Sequence, residues 1–403
     1  MQEHKFKKGV VKMKRFLSIL LSLVIICLAV VPAFAVAERP DTKLKFSSDG
    51  RFKILQFADC QDNVRPHRKM LLLMDRACRE LRPDLVVFSG DNDVQGYDVL
   101  NRASIRQLIA PVARYGIPFA FTFGNHDAER NVTKETIMKH YHESGICLTY
   151  NADDSIHGYG NCNIPIYGKN GTDIKFNIWL IDSNMYLENW YDIVYPDQVE
   201  WYRKTSVALE EEAGYKVPSL VFQHIAPPEV FDYFEPAPRD ENGNITTSEP
   251  TRYHKGRDET FVMKWKEGAP VAPDILQQFP GPPTYNTNEV EVMAERGDVL
   301  GIAFGHDHIN NYIIHMENGI DLIQTPGMSY RAYGNDNIRG FRMFTIKESD
   351  PWSYEEETFL YRDLLSESEM NNRLGDFIQQ LISLKTILWA IDQTVRDFFS
   401  FLK

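Results

Sequence analysis

Several common signatures are missing from this sequence, and each absence removes a class of function. There is no Walker A loop, no G-x-G-x-x-G after a strand and no G-x-S-x-G elbow. Phosphate-loop NTPase, dinucleotide-binding and serine-hydrolase readings therefore have no anchor. Cysteine is scarce, five in 403 residues with no C-x-x-C pair, so a cysteine zinc site is not indicated. There is no basic excess: 44 Lys and Arg face 56 Asp and Glu, a net charge of −12. Nucleic-acid scaffolds usually carry a basic face, and none is expected here. No internal repeat is visible, which argues against a solenoid.

What is present looks globular. Hydrophobic residues make up 43% and charged residues 25%, ordinary values for a folded chain. The length allows one large domain or two smaller ones with a sizeable core. The N-terminus stands apart from the rest. Lys5 to Arg15 is basic, Phe16 to Val31 is apolar, and A-F-A-V-A follows at Ala33–Ala37. This pattern predicts a signal peptide over residues 1–37, cut after Ala35 or Ala37, and so a secreted or cell-surface protein. An uncleaved anchor is the competing reading, but the apolar run is short for a membrane span. Cys27 lacks a small-residue lipoprotein box before it. Of the remaining cysteines, Cys60, Cys78, Cys147 and Cys162, the expected pair in an exported chain is Cys147 with Cys162.

From Phe52 the chain alternates short apolar runs with helical stretches. The runs K-I-L-Q-F-A, D-L-V-V-F-S-G, P-F-A-F-T-F-G, S-L-V-F-Q and V-L-G-I-A-F-G are rich in β-branched and aromatic residues. They read as strands buried on both faces. Helices are expected over Arg68–Leu81 and Ala103–Tyr115, which makes the fold α/β. The strands end at Asp59, Asp91, Asn125–His126, His224 and His306. Five strands ending in residues able to ligate metal are hard to obtain by chance. In α/β sheets, ligands gather where strands end at their carboxyl edge.

Residues 227–296 are rich in Pro, Gly, Asn and acids. They read as a loop-rich insertion with a helix near Asn288–Arg296, either a substrate wall or a solvated excursion. Short sheet-completing strands follow His308. Residues 351–403 are expected to form a C-terminal helical extension. Leu374, Phe377, Leu381, Leu388, Ile391 and Val395 recur there at helical spacing. That spacing suits a helix packed on the domain, with contact to a membrane surface as the alternative.

The motif series is D-C-Q at Asp59–Gln61, G-D-N at Gly90–Asn92, G-N-H-D at Gly124–Asp127, V-F-Q-H at Val221–His224 and G-H-D-H at Gly305–His308. It resembles the calcineurin-like metallophosphoesterases, closest to the purple-acid-phosphatase-like branch, over about residues 50–346. Purple members carry a tyrosine four residues after the glycine of G-D, where this chain has Val94, so no purple colour is expected. The resemblance implies a sandwich of two mixed β-sheets flanked by helices, with a catalytic domain over 38–350. It also implies hydrolysis of phosphate mono- or diesters at two metal ions (Mn, Fe or Zn) spaced about 3.5–4 Å apart. Asp91 would bridge them. Asp59, Gln61 and His308 would hold the first ion, and Asn125, His224 and His306 the second. His126 would face the substrate, with Asp127 orienting its imidazole.

One position departs from the family pattern of D-x-H, because Gln61 stands where a ligand histidine is expected. Three readings stay open: Gln61 ligates weakly, Asp62 replaces it, or the first site is impaired and the protein binds without efficient catalysis. Cys60, between them, should point into the core. Arg130, Arg331 and His67 are further candidates for contact with phosphate. Tyr330–Gly334 is a candidate rim.

Overall fold

The computed structural model describes residues 42–401; the expected signal peptide lies outside the described residues. Two mixed sheets pack face to face. One has five strands, in the order Asp350–Leu360, Gly340–Lys347, Arg51–Phe57, Leu85–Ser89 and Phe119–Thr122. The other has eight. Its centre runs Cys162–Tyr167, Ile174–Leu180, Ser219–Phe222, Val299–Phe304, Asp321–Gln324 and Asn311–His315.

The continuous apolar runs follow from burial on both faces. In Leu85–Ser89, Leu85 and Val87 enter the core between the sheets, with Ile54, Phe176, Leu220 and Phe344. Val86 and Phe88 point the other way, into a core shared with the outer helices. A strand alternates its side chains, so both sets must be apolar. The helix Arg68–Leu81 supplies Met70, Leu73, Met74 and Ala77 to that outer core, spaced as one helical stripe. His67 caps it, its ring accepting from the Lys69 amide at 3.2 Å. The helices Asp98–Ala113 and Lys134–His142 complete this layer. On the far side, Pro196–Ala213 and Glu289–Arg296 cover the eight-stranded sheet around Trp179, Tyr202 and Met293.

Three expectations change. The insertion is more ordered than its composition suggests. Phe234–Pro236, Thr251–His254 and Glu259–Trp265 form a small antiparallel sheet, and Val271–Ile275 joins the edge of the large one. The helical extension begins only after Leu360, because Asp350–Leu360 is an edge strand on Gly340–Lys347. Its acidic run hides the alternation, although Glu356 turns inward to pair with the fully buried Arg342. The expected Cys147–Cys162 disulfide is not formed. All four described cysteines are buried thiols; Cys147 packs in the helix-side core and Cys162 between the sheets. A core of this size needs no covalent staple.

Candidate metal centre

The strand ends converge at one edge of the sandwich, and their backbone is unusual there. Asp59, Asp91 and His306 have φ of 53°, 49° and 72°, left-handed conformations that cost a non-glycine residue of order 1–3 kcal/mol. Each is a polar residue two positions beyond the end of a strand, turned so that its side chain faces the cluster. Close packing reinforces this. A Cβ on Gly124 would lie 2.3 Å from Asp91 Oδ1, and one on Gly305 would lie 2.6 Å from Asp59 Oδ2. The glycines of G-N-H-D and G-H-D-H leave room for the Asp91 and Asp59 carboxylates, which pass directly against them.

Two groups of ligand atoms result. Asp91, His224 and His306 form one, and Asp59, Asp91 and His308 the other; within each, the atoms lie within 4.8 Å of one another. All five residues are buried, and Asp91 belongs to both groups. His224 Nδ1 donates to the Ser89 carbonyl at 3.1 Å, leaving Nε2 3.2 Å from Asp91 Oδ2. His308 Nδ1 donates to the Tyr333 carbonyl at 2.7 Å, and its Nε2 lies 3.4 Å from Asp59 Oδ1. These outer hydrogen bonds set the tautomer and aim the ligating nitrogen inward.

Burial pushes His306 well below the usual histidine range and His308 down to about 4, so both offer a free lone pair at neutral pH. Burial would also lower His224, but the Asp91 carboxylate outweighs it and carries the ring up to about 9. Burial opposes ionisation of Asp91 too, yet the His224 charge holds its carboxyl well below the usual range. Asp59, dominated by burial, is pushed well up. Two carboxylates and three imidazoles held out of water together are costly unless a cation joins them.

Gln61 is brought to the first group. Its Nε2 lies 3.2 Å from both Asp91 Oδ2 and His308 Nε2, while Oε1 is buried with no partner. A half-turn of the amide would present that oxygen to the same point. Asp62 is not available as a replacement. It accepts from the His67 amide at 2.6 Å, the Arg331 amide at 2.9 Å and the Ser329 hydroxyl, so it ties down the loop after Gly327. Asn125 offers a buried, unpartnered Oδ1, its amide nitrogen donating to Tyr186 Oη at 2.8 Å.

The expected orienting role of Asp127 is corrected. Its carboxylate accepts from the backbone of Asn92 and Asp93, both at 2.9 Å, and of Gly124 at 2.7 Å. It locks two ligand-bearing turns together and does not reach the His126 ring. That ring, 38% exposed at the mouth, meets Glu129 at 2.9 Å and Tyr186 at 3.5 Å, and its Nε2 is 4.0 Å from Asp91. Glu129 and Tyr186 lie outside the sequence motifs. Glu129 stands three residues past His126, a spacing that could have found it; Tyr186 comes from a distant hairpin and left no signal.

The remaining candidates have structural partners. His67 caps a helix and stacks on Tyr330. Arg331 bonds the Arg65 carbonyl, and Arg130 lies against Gly96. Within Tyr330–Gly334, Tyr333 does line the site, stacking on His308 with centroids 4.1 Å apart. The insertion also reaches the cluster, because Gly281 passes so close to His306 that a Cβ would sit 2.9 Å from Nε2.

A model of the calcineurin-like phosphoesterase family matches residues 52–310. A protein of Arabidopsis thaliana named probable inactive purple acid phosphatase 14 is 30% identical over 354 residues, covering 78% of this chain and 79% of that protein. Phosphatase DCR2 of Saccharomyces cerevisiae is 25% identical over 337 residues, covering 74% of this chain and 51% of the yeast protein. Among solved structures, purple acid phosphatase PPD1 from yellow lupin (Lupinus luteus) aligns at 13% identity and a TM-score of 0.40, covering 81% of this chain and 56% of that one.

Proposed function

This chain belongs to the calcineurin-like phosphoesterase family, and from that premise we propose that it hydrolyses phosphate mono- or diesters with two metal ions held around Asp91. The observation that carries the reading is the sharing of Asp91 by two groups of buried ligand atoms. The donor set fits such ions. Carboxylate, imidazole and amide donors together suit Mn, Fe or Zn. Gln61 Oε1 and Asn125 Oδ1 are buried without hydrogen-bond partners, a cost that a cation would remove.

Asp59, Gln61 and His308 would hold the first ion, Asn125, His224 and His306 the second, and Asp91 both. When bound, such a pair neutralises phosphoryl oxygens and lowers the pKa of water. The protein's own residues do the rest. The carbonyls of Ser89 and Tyr333 keep two imidazoles aimed. Asp127 holds the turns bearing Asp91 and Asn125 in register. His126, at the mouth, donates a proton to the departing ester oxygen, positioned by Glu129 and Tyr186.

A binding protein with weakened catalysis is the second reading. Gln61, a neutral oxygen in place of imidazole, favours it, as does the word inactive in the name of the plant relative. Turnover of a chromogenic phosphate ester with added Mn, Zn or Fe separates the two. Hydrolysis that disappears in Asp91→Asn supports the enzyme; metal binding without hydrolysis supports the binder.

The basic, apolar, A-x-A series at the N-terminus supports export. Terminal sequencing of the exported protein is expected to begin at Val36 or Glu38, and an exported product that keeps Met1 would count against cleavage.

A further inference from the structure

The helix Arg373–Phe401 is docked the wrong way round for a surface helix. The side it turns to the body is small and polar. Asp376, Ser383, Ala390 and Asp397 fall at seven-residue intervals. Ser383 and Ala390 are 1% and 0% exposed. Asp376 pairs with Arg68 at 2.7 Å and Asp397 with Arg102 at 2.8 Å, and Arg106 lies over the Trp389 ring. These contacts hold the helix along Asp98–Ala113. The apolar side is left facing out: Leu374 is 68%, Phe377 58% and Leu388 59% exposed.

That outward side has a period. Leu374, Leu381 and Leu388 recur on it every seven residues, with Phe377, Leu384 and Ile391 three residues after them, all exposed; Val395 and Phe398 continue the spacing but are half-buried. An unbroken three–four spacing over this length is the pattern of a seam that packs against another helix. It is not what a lipid surface selects. Interfacial helices carry Lys and Arg on their polar side, and here that side faces the protein and contributes two aspartates to ion pairs.

The charges that flank the seam complement each other. Lys385 and Asp392 occupy the same flanking position one heptad apart. When two such helices run antiparallel, with Leu388 of one beside Ile391 of the other, Lys385 of each copy comes opposite Asp392 of its partner. The helix leaves nine large apolar side chains each more than 40% exposed, where monomers usually leave such residues scattered singly.

We propose that the protein forms a two-fold dimer in which the helices Arg373–Phe401 of two copies pack antiparallel along this seam. The ligand-bearing strand ends make no part of the contact, so each copy keeps a complete metal centre.

Sedimentation equilibrium of the full chain tests this. The wild type is expected to be dimeric at micromolar concentration, and Leu381→Glu with Leu388→Glu is expected to be monomeric with unchanged turnover and circular dichroism. Lys385→Asp alone should weaken association at least about tenfold, and Lys385→Asp with Asp392→Lys should restore it. The exchange pair keeps the test valid should the glutamate variant misfold. A monomeric wild type would overturn the proposal, as would a double exchange no tighter than the single. The same protein mixed with phosphatidylserine vesicles should stay unbound. A monomer that floats with those vesicles, and loses flotation in the glutamate variant, would assign the face to a membrane.

Discussion

His126 meets Glu129, while the neighbouring Asp127 is committed to three backbone amides. Two adjacent carboxylates so placed must fail differently. Glu129→Ala leaves the ligands untouched, so metal content should hold while turnover drops by about tenfold, the scale of a lost orientation. The drop should be larger for esters with poor leaving groups, because those need the proton most. Equal losses for good and poor leaving groups would remove the proton-donor assignment. Asp127→Asn should cost about 1–3 kcal/mol of stability, because an amide nitrogen would face buried N–H donors. Gln61→His tests the departure from the family pattern. The side chain already sits 3.2 Å from Asp91 and His308, so an imidazole there should tighten the first metal and raise activity at low metal. Gln61→Ala should loosen it. Indifference to both changes, read by metal titration, would show that Gln61 is not a ligand.

The helix Glu289–Arg296 carries a pH-dependent feature. Glu289 is buried, Oε1 has no partner, and burial with the nearby Glu229 pushes its carboxyl up to about 8. A carboxyl whose pKa is raised by folding binds its proton more tightly in the native state. Its contribution is therefore full below the unfolded value near 4.5 and is lost as pH rises towards about 8. Melting temperature should fall across that window, and Glu289→Gln should flatten the fall. An unchanged slope in the variant would assign the pH dependence elsewhere. At this scale the legibility of the sequence was uneven. The strands ending at Asp59, Asp91, Asn125 and His306 were readable because burial on both faces leaves continuous apolar runs. Thr251–His254 and Asp350–Leu360 were not, because exposed edge strands lack such runs and the second is acidic. The helix Arg373–Phe401 was readable as a helix but not in its facing. Periodicity marks an apolar side without saying whether the body or another molecule covers it.

Across the whole molecule the candidate metal site draws on both sheets. Asp59, Asp91 and Asn125 leave the five-stranded sheet, and His224 and His306 leave the eight-stranded one. Ions bound between them would therefore stabilise the packing of one sheet on the other as well as the local site. Anything that binds the native state alone raises stability by about 2.7 kcal/mol when present at a hundred times its dissociation constant. Without a cation, the same cluster holds buried carboxylates and unpartnered polar atoms, so the gain has a structural source. Chelation should lower the melting temperature by several degrees in a single transition, and Mn or Zn should restore it. Asp91→Asn removes the ligand common to both groups, so its melting temperature should be nearly insensitive to either treatment. Gln61→Ala touches only the first group and should keep part of the response. If wild type and Asp91→Asn gain equally from added metal, the ions that stabilise the protein are bound elsewhere, and Asp91 does not join the two halves of the site.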